Sequence, residues 1–288
     1  MKKKTRRWIA AIAAAAVLSL LGWALVWGNT ALVRTDVLVC SNGIPEAFDA
    51  YKIVQISDLH DAQIGENNEK LIAMTAETEP DCIVLTGDFV DSSRFHPELS
   101  LSVAESLVKI APVYYVSGNH EAILPDEDYQ ALTDGLRALG VCVLEDESAE
   151  LTRDGQSIRL IGLTDIGFHP GTLEEKKDAL RTALSALLPE DEFSVTLAHR
   201  PELMDVYTEC GAPLVLSGHA HGGQIRLPGI GGLIAPGQGL FPKYTEGKYE
   251  ENGTTLVVSR GIGNSVLPLR VNDRPQIVVV QLARNYRM

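Results

Sequence analysis

Positive charge is what this sequence has least of. Twenty-five lysines and arginines face 38 aspartates and glutamates, a net charge of −13. The shortfall is uneven. Lys2, Lys3, Lys4, Arg6 and Arg7 stand in the first seven residues with no acid among them, which leaves −18 for the remainder. A body that acidic repels a nucleic-acid backbone and argues against a nuclease or a nucleic-acid partner. Cysteine is also sparse: Cys40, Cys82, Cys142 and Cys210 are scattered and show no CxxC spacing. Each sits in or beside an apolar run, so the expectation is small buried hydrophobes rather than a disulfide framework. There is no internal repeat, no Gly/Ser linker, and no low-complexity block beyond an alanine run near the start. One folded body is the economical reading, and nothing points to an obligate protein partner.

What is present begins with Trp8 to Trp27, 20 residues without a charge. A helix needs roughly 20 such residues to cross the hydrocarbon core of a bilayer. Tryptophan stands at both ends, where interfacial anchoring favours it. The basic residues 1–7 then form a cytoplasmic tail, and everything after Trp27 lies outside, making this a single-pass membrane protein with an extracytoplasmic body. A cleaved signal sequence is the rival reading, but no small-x-small cleavage site follows the apolar run. Thr5-Arg6-Arg7-Trp8-Ile9 loosely resembles a twin-arginine export signal. Residues 28–50 read as a short tether and first strand, Thr35–Cys40. Fully extended, Trp27 to Thr35 spans at most roughly 26–29 Å, which holds the body (residues 51–288) close to the bilayer.

From Tyr51 the pattern is strand then helix, repeated, as in a parallel sheet covered by helices. Helices are expected from Glu66 to Glu79, Pro97 to Lys109 and Asp126 to Leu139, with strands at Cys82–Thr86, Val113–Ser117 and Val141–Leu144. Arg153-Asp-Gly-Gln156 marks a hairpin. A long helix from Thr172 to Leu188 follows, then strands Phe193–Leu197, Leu214–Ser217, Leu256–Ser259 and Ile277–Leu282.

The chemistry sits where these strands stop. Ile53-Val-Gln-Ile56 runs into Ser57-Asp58-Leu59-His60, and residues two apart along a strand face one side. Later strands run into Gly87-Asp88, Gly118-Asn119-His120-Glu121 and Gly218-His219-Ala220-His221. A single Asp at a strand end is usually a turn former. Carboxylate, amide and imidazole delivered together at several strand ends describe a polynuclear metal site.

These motifs, in this order and with the lone His199 after a strand, resemble the calcineurin-like metallophosphoesterases across most of residues 51–221. The run from Gly218 to Tyr244 and the ending from Leu267 to Val280 resemble a membrane-anchored bacterial subgroup. The resemblance implies a four-layer α/β/β/α sandwich, here preceded by one N-terminal transmembrane helix. It implies that Asp58, His60 and His221 hold one divalent metal ion and Asn119, His199 and His219 a second, with Asp88 bridging. Mixed oxygen and nitrogen donors suit manganese, iron or zinc. A hydroxide shared by the two ions would attack phosphorus in line, with His120 stabilising or protonating the leaving oxygen. The family commonly has Asp after that histidine. Here Glu121 is one methylene longer, in the place that bears on the orientation of His120.

Arg200 and Arg226 are candidates for substrate phosphate. His96 and His169 lack motif context and are set aside as bystanders, with a reach into the cleft left open, and Asp61 and Asp165 are unassigned. Residues Gly222 to Thr245 contain no acid and seven large apolar side chains. They form either a glycine-rich loop packed on the body or a flap for acyl chains and the interface. The reading is a dinuclear phosphodiesterase or pyrophosphatase acting on a lipid or envelope glycolipid. Alternatives are a phosphodiesterase of cell-wall polymer or nucleotides and, from a different class, a catalytically silent metal-bound scaffold.

Overall fold

The computed structural model describes residues 2–264 and 269–285; Leu267 and Pro268 of the C-terminal motif lie outside them. Helix α1 (Lys2–Thr30) is built on alanine and leucine with no proline, and carries no charge after Arg7. Its 29 residues extend roughly 43 Å at 1.5 Å per residue. It is long and apolar enough to cross a membrane, and none of its most apolar stretch is buried against the protein. Only Ala31 and Leu32 separate it from strand β1 (Val33–Ser41). The expected tether is therefore a joint. Asn29 on the last turn of α1 accepts from the Arg270 backbone N–H at 2.9 Å and donates to its carbonyl at 3.2 Å. The Arg274 guanidinium lies 4.3 Å from the centre of a Trp27 ring.

The body continues through β2 (Lys52–Ile56), α2 (Glu69–Glu77), β3 (Cys82–Thr86), α3 (Pro97–Leu107), β4 (Val113–Val116), α4 (Asp126–Ala138) and β5 (Cys142–Val143). The second half holds β6 (Glu147–Arg153), β7 (Gln156–Gly162), α5 (Leu173–Leu187), β8 (Ser194–Leu197), α6 (Met204–Cys210) and β9 (Leu214–Ser217). Two small ribbons follow, β10 (Arg226–Leu227) with β11 (Gly231–Gly232) and β12 (Ile234–Ala235) with β13 (Gly239–Leu240). Strands β14 (Gly247–Glu251), β15 (Thr254–Val258) and β16 (Gln276–Arg284) complete it.

Two six-stranded sheets result, ordered β1-β16-β2-β3-β4-β5 and β14-β15-β9-β8-β7-β6. Strands β2, β3 and β4 run parallel in the first, and β7, β8, β9 and β15 run parallel in the second. Between the sheets, Ile53, Val84 and Val280 pack against Leu160, Val195, Leu197 and Leu216. Helices α2, α3 and α4 cover the outer face of the first sheet through Leu71, Val103, Leu107 and Leu136. Helices α5 and α6 cover the other through Leu180, Leu184, Val206 and Tyr207. This is the expected four-layer sandwich. Burial on both faces is why its strands read as continuous apolar runs rather than alternations.

Some local expectations differ from the structure. The helix expected from Glu66 begins at Glu69, because Asn67 and Asn68 take left-handed φ values of 51° and 60°. Helix α6 and strand β14 are not expected from the sequence: the seven residues of α6 make under two turns, too short for a helical period to show. Cys82 is buried, but Cys40 and Cys142 are exposed and Cys210 half-buried. The exposed pair lies on β1 and β5, the two edge strands, where alternate side chains face outward.

Candidate metal centre

Because β2, β3 and β4 run parallel, and β8 and β9 likewise, their carboxyl ends open on one edge of the sandwich. Buried Gln55 ties the sheets together just beneath it, donating from Nε2 to Thr86 Oγ1 at 3.0 Å and to Ser217 O at 2.8 Å. Strand periodicity does not deliver the site residues, since β2 stops at Ile56. Instead Asp58, His60, Asp88, His219 and His221 all take left-handed backbone, with φ between 45° and 64°. Such residues cost roughly 1–3 kcal/mol each and persist only where the surroundings over-determine them. Backbone bonds do so here: Asp58 N–H donates to Gly87 O and His60 N–H to Asp88 O, both at 3.0 Å. Two glycines allow the close approach. A Cβ on Gly118 would stand 2.3 Å from Asp88 Oδ1, and one on Gly218 would stand 1.9 Å from Ser57 Oγ.

The donors converge in two adjoining groups, Asp58, His60, Asp88 and His221, and Asp88, His199 and His219. All are buried, the ligand atoms within each group lie within 4.8 Å of one another, and Asp88 belongs to both. Asp88 Oδ2 is 3.6 Å from His60 Nε2 and 3.3 Å from His199 Nε2. Asn119 joins the second group, its Oδ1 3.1 Å from His199 Nε2. Neighbouring contacts fix the orientations. Thr86 O lies 2.8 Å from His199 Nδ1, and the His219 N–H donates to Asp58 Oδ1 at 2.9 Å.

This donor set fits two cations and fits their absence poorly. His60 Nε2 and His221 Nε2 face each other at 3.2 Å, yet neutral imidazoles aimed this way need a proton or a cation between them. Buried His219 has neither ring nitrogen hydrogen-bonded, and such orphans are costly. Burial pushes the Asp58 carboxyl up to about 6. Burial also pulls His60 down to about 4, which keeps the ring a neutral donor. At His199 burial works against the charged ring, but the Asp88 carboxylate outweighs it and lifts the imidazolium to about 10. Where no cation is bound, a proton on His199 therefore serves as Asp88's counterion.

His120 sits edge-on to His60, ring centres 4.5 Å apart. The Ser92 backbone N–H donates to its Nδ1 at 3.2 Å, with Ser92 Oγ at 3.1 Å and Asp91 Oδ1 at 3.7 Å. Glu121 is directed at the neighbouring backbone. Its two oxygens accept four backbone N–H groups, from Asp88 at 2.9 Å, Phe89 at 2.7 Å, Val90 at 3.2 Å and Gly118 at 2.7 Å. The longer side chain thus supports the loop that presents Asp88, while Ser92 and Asp91 orient His120. Neither of those carries a motif of its own. Their only signal was lying three and four residues past Asp88.

The two candidate phosphate-binding arginines are already engaged. Arg200 is forked onto buried Asp165 at 2.7 and 3.0 Å, which accounts for Asp165. Arg226 pairs with Glu246 and donates to Gly222 O at 2.6 Å. The cleft beside the cluster, about 260 Å³, is lined instead by His60, Asp61, Ala62, Arg94, His96 and Asn264. Asp61 accepts from the backbone N–H groups of Asp91 and His96 and so folds that loop over the cleft. His96 thus reaches the site from a loop, and His169 is not among its lining residues.

A two-sheet sandwich with paired donor groups sharing one aspartate at the strand ends defines a metal-dependent phosphoester hydrolase with a dimetal site. The calcineurin-like phosphoesterase family model matches residues 51–223, and the chain belongs to that family. It is 33% identical over 258 residues to the uncharacterized metallophosphoesterase YkuE of Bacillus subtilis (strain 168), covering 86% of this chain and 84% of that one. It is 29% identical to phosphodiesterase YaeI of Escherichia coli (strain K12), covering 81% and 82%. Among solved structures, TT1561 of Thermus thermophilus shares the fold, with TM-score 0.51, 15% identity, and coverage of 74% of this chain and 90% of that one.

Proposed function

We propose that the chain is a bilayer-anchored phosphodiesterase or pyrophosphatase. α1 crosses the membrane, the body (residues 51–288, joined by β1) faces outward, and the substrate is a phosphorylated lipid or envelope glycolipid. Asp58, His60 and His221 would hold one divalent cation, Asn119, His199 and His219 the other, and Asp88 both; manganese, iron and zinc all suit these donors. When bound, such a pair of ions activates water and stabilises the phosphoryl oxygens. The chain's own residues do the rest. With the Ser92 N–H donating to His120 Nδ1, the ring would present Nε2 as its hydrogen-bond donor and so stabilise a leaving oxygen. Arg94, which donates twice to Asp91 Oδ2 at 3.0 and 2.7 Å, and His96 line the cleft and would stand near the distal part of the substrate.

The observation that carries the lipid reading is Asn264. It lines the cleft beside His60 and donates from Nδ2 to Asn29 Oδ1 at 3.1 Å, two residues past Trp27 at the interfacial end of α1. The cleft therefore opens one side chain from headgroup level. Exposed apolar side chains on the 222–245 flap, Ile230, Leu240 and Phe241, each about two-thirds accessible, favour an interfacial flap over a loop packed on the body. The test is turnover by the full chain in nanodiscs with added manganese. Phospholipids and envelope glycolipid precursors in the same bilayer are compared with nucleotides and an aryl phosphodiester in solution. Preference for a bilayer substrate is expected; faster cleavage of nucleotides would overturn the lipid reading, and no turnover with any divalent metal would favour the scaffold.

A further inference from the structure

A second cavity lies away from the metal centre, where α1 meets the body. Its volume is about 750 Å³, and its walls include Leu25, Trp27, Val33, Arg260, Arg270 and Arg274. That size falls within the roughly 300–1,000 Å³ of small-molecule sites. No carboxylate is among the residues lining it, which is unusual in a chain of net charge −13.

The arginines are incompletely neutralised. Arg260 lies 3.1 Å from Glu246, which Arg226 shares. Arg270 lies 3.4 Å from Asp273. Among the described residues Arg274 meets no carboxylate, only the Trp27 ring and the carbonyls of Ala31 and Leu32. Four arginines thus stand against two acids, with the surplus at the cavity. The opposite wall is the last two turns of α1. Trp23 and Trp27 stack there, ring centres 5.9 Å apart, as tryptophan does at a membrane interface. Fully buried Arg270 stands between cavity and metal centre, its Nη2 3.4 Å from His221 Nδ1, so an occupant is held apart from the reacting atoms.

We propose that this cavity binds an anionic phospholipid of the surrounding bilayer as a fixed, non-substrate ligand. Its phosphate meets Arg260 and Arg274, its acyl chain runs along Leu25 and Val33, and it seats the body against the membrane. The inference rests on reading α1 as a membrane helix. Only a molecule carrying both an anion and a hydrocarbon chain matches a site with cations on one wall and a bilayer helix as the other.

The test is native mass spectrometry of the full chain in detergent with equal phosphatidylglycerol and phosphatidylcholine. About a thirty-fold preference for phosphatidylglycerol is expected from two arginines. Arg260→Gln with Arg274→Gln should abolish the preference. Val33→Trp, which intrudes on the cavity from β1 and leaves every arginine in place, should weaken retention of either lipid. Asp88→Asn, expected to end hydrolysis, should retain phosphatidylglycerol as the wild type does, which separates this site from the catalytic one. Equal retention of the two lipids by a wild type that partitions into membranes would overturn the proposal alone. Failure to partition would overturn it together with the membrane reading.

Discussion

Glu121→Gln tests the claim that this side chain is a scaffold for Asp88. Each carboxylate oxygen accepts two buried backbone N–H groups, Oε1 from Phe89 and Val90, Oε2 from Asp88 and Gly118. Burial, and after it the charge of Asp88, push this carboxyl up to about 7; cations on Asp88 favour its ionised form. An amide has the same shape but only one accepting oxygen. Its NH2 would face two N–H groups, orphaning both, at roughly 1–3 kcal/mol each, about 2–6 kcal/mol in all. For a domain of this size about 1 kcal/mol shifts Tm by roughly 2–4 °C, so a fall of roughly 5–20 °C is expected. The loop should also shift Asp88, lowering metal content and turnover together. The assay is thermal unfolding of the metal-loaded full chain at fixed scan rate, with metal analysis of the same sample. A Gln variant within about 2 °C of wild type and fully metal-loaded would refute the reasoning.

Four further expectations follow from the same site. Asp88→Asn should remove activity and lower occupancy of both ions, since one carboxylate serves both groups; wild-type rates would sink the bridging role. His120→Ala should lower kcat by roughly 10²–10⁴-fold with metal content near normal, whereas loss of metal would mean that His120 is a ligand. Metal uptake at pH 7 should release about one proton from His199, whose imidazolium Asp88 lifts to about 10 against the effect of burial. Retention should weaken as pH falls below about 10, where His199 holds its proton, and more steeply below about 6, where Asp58 also takes one up. An indicator dye and metal analysis after dialysis read the two, and pH-independent retention down to pH 5 would count against Asp58 as a ligand.

Much of this was legible beforehand because apolar runs and strand-end motifs are local in sequence. Strand Cys82–Thr86 and Leu214–Ser217 run between the expected residues. Six of the candidate ligands stand out because carboxylate, amide and imidazole concentrate where those runs break off, and the family resemblance implies the seventh, His199, and the division between two ions. Contacts between distant segments could not be read this way. Arg200 and Arg226 looked available until Asp165 and Glu246 were brought to them. Adjacency in sequence suggests that Glu121 orients His120, whereas folding carries its carboxylate to the 88–90 backbone.

The amino-acid order by itself determined the strand–helix alternation, the apolar N-terminal helix and the side chains at the strand ends, since each depends on hydrophobic period or residue type, while the four-layer sandwich was implied by the family resemblance. Only the tertiary structure decided how those side chains converge: through five left-handed backbone residues, with Asp58 and His60 held by backbone bonds to the 87–88 loop, not through strand alternation. It also decided that α1 is clamped to the body at Asn29 beside the cleft. That contact joins residues more than 230 positions apart, and no periodicity reports which distant polar groups folding will make neighbours.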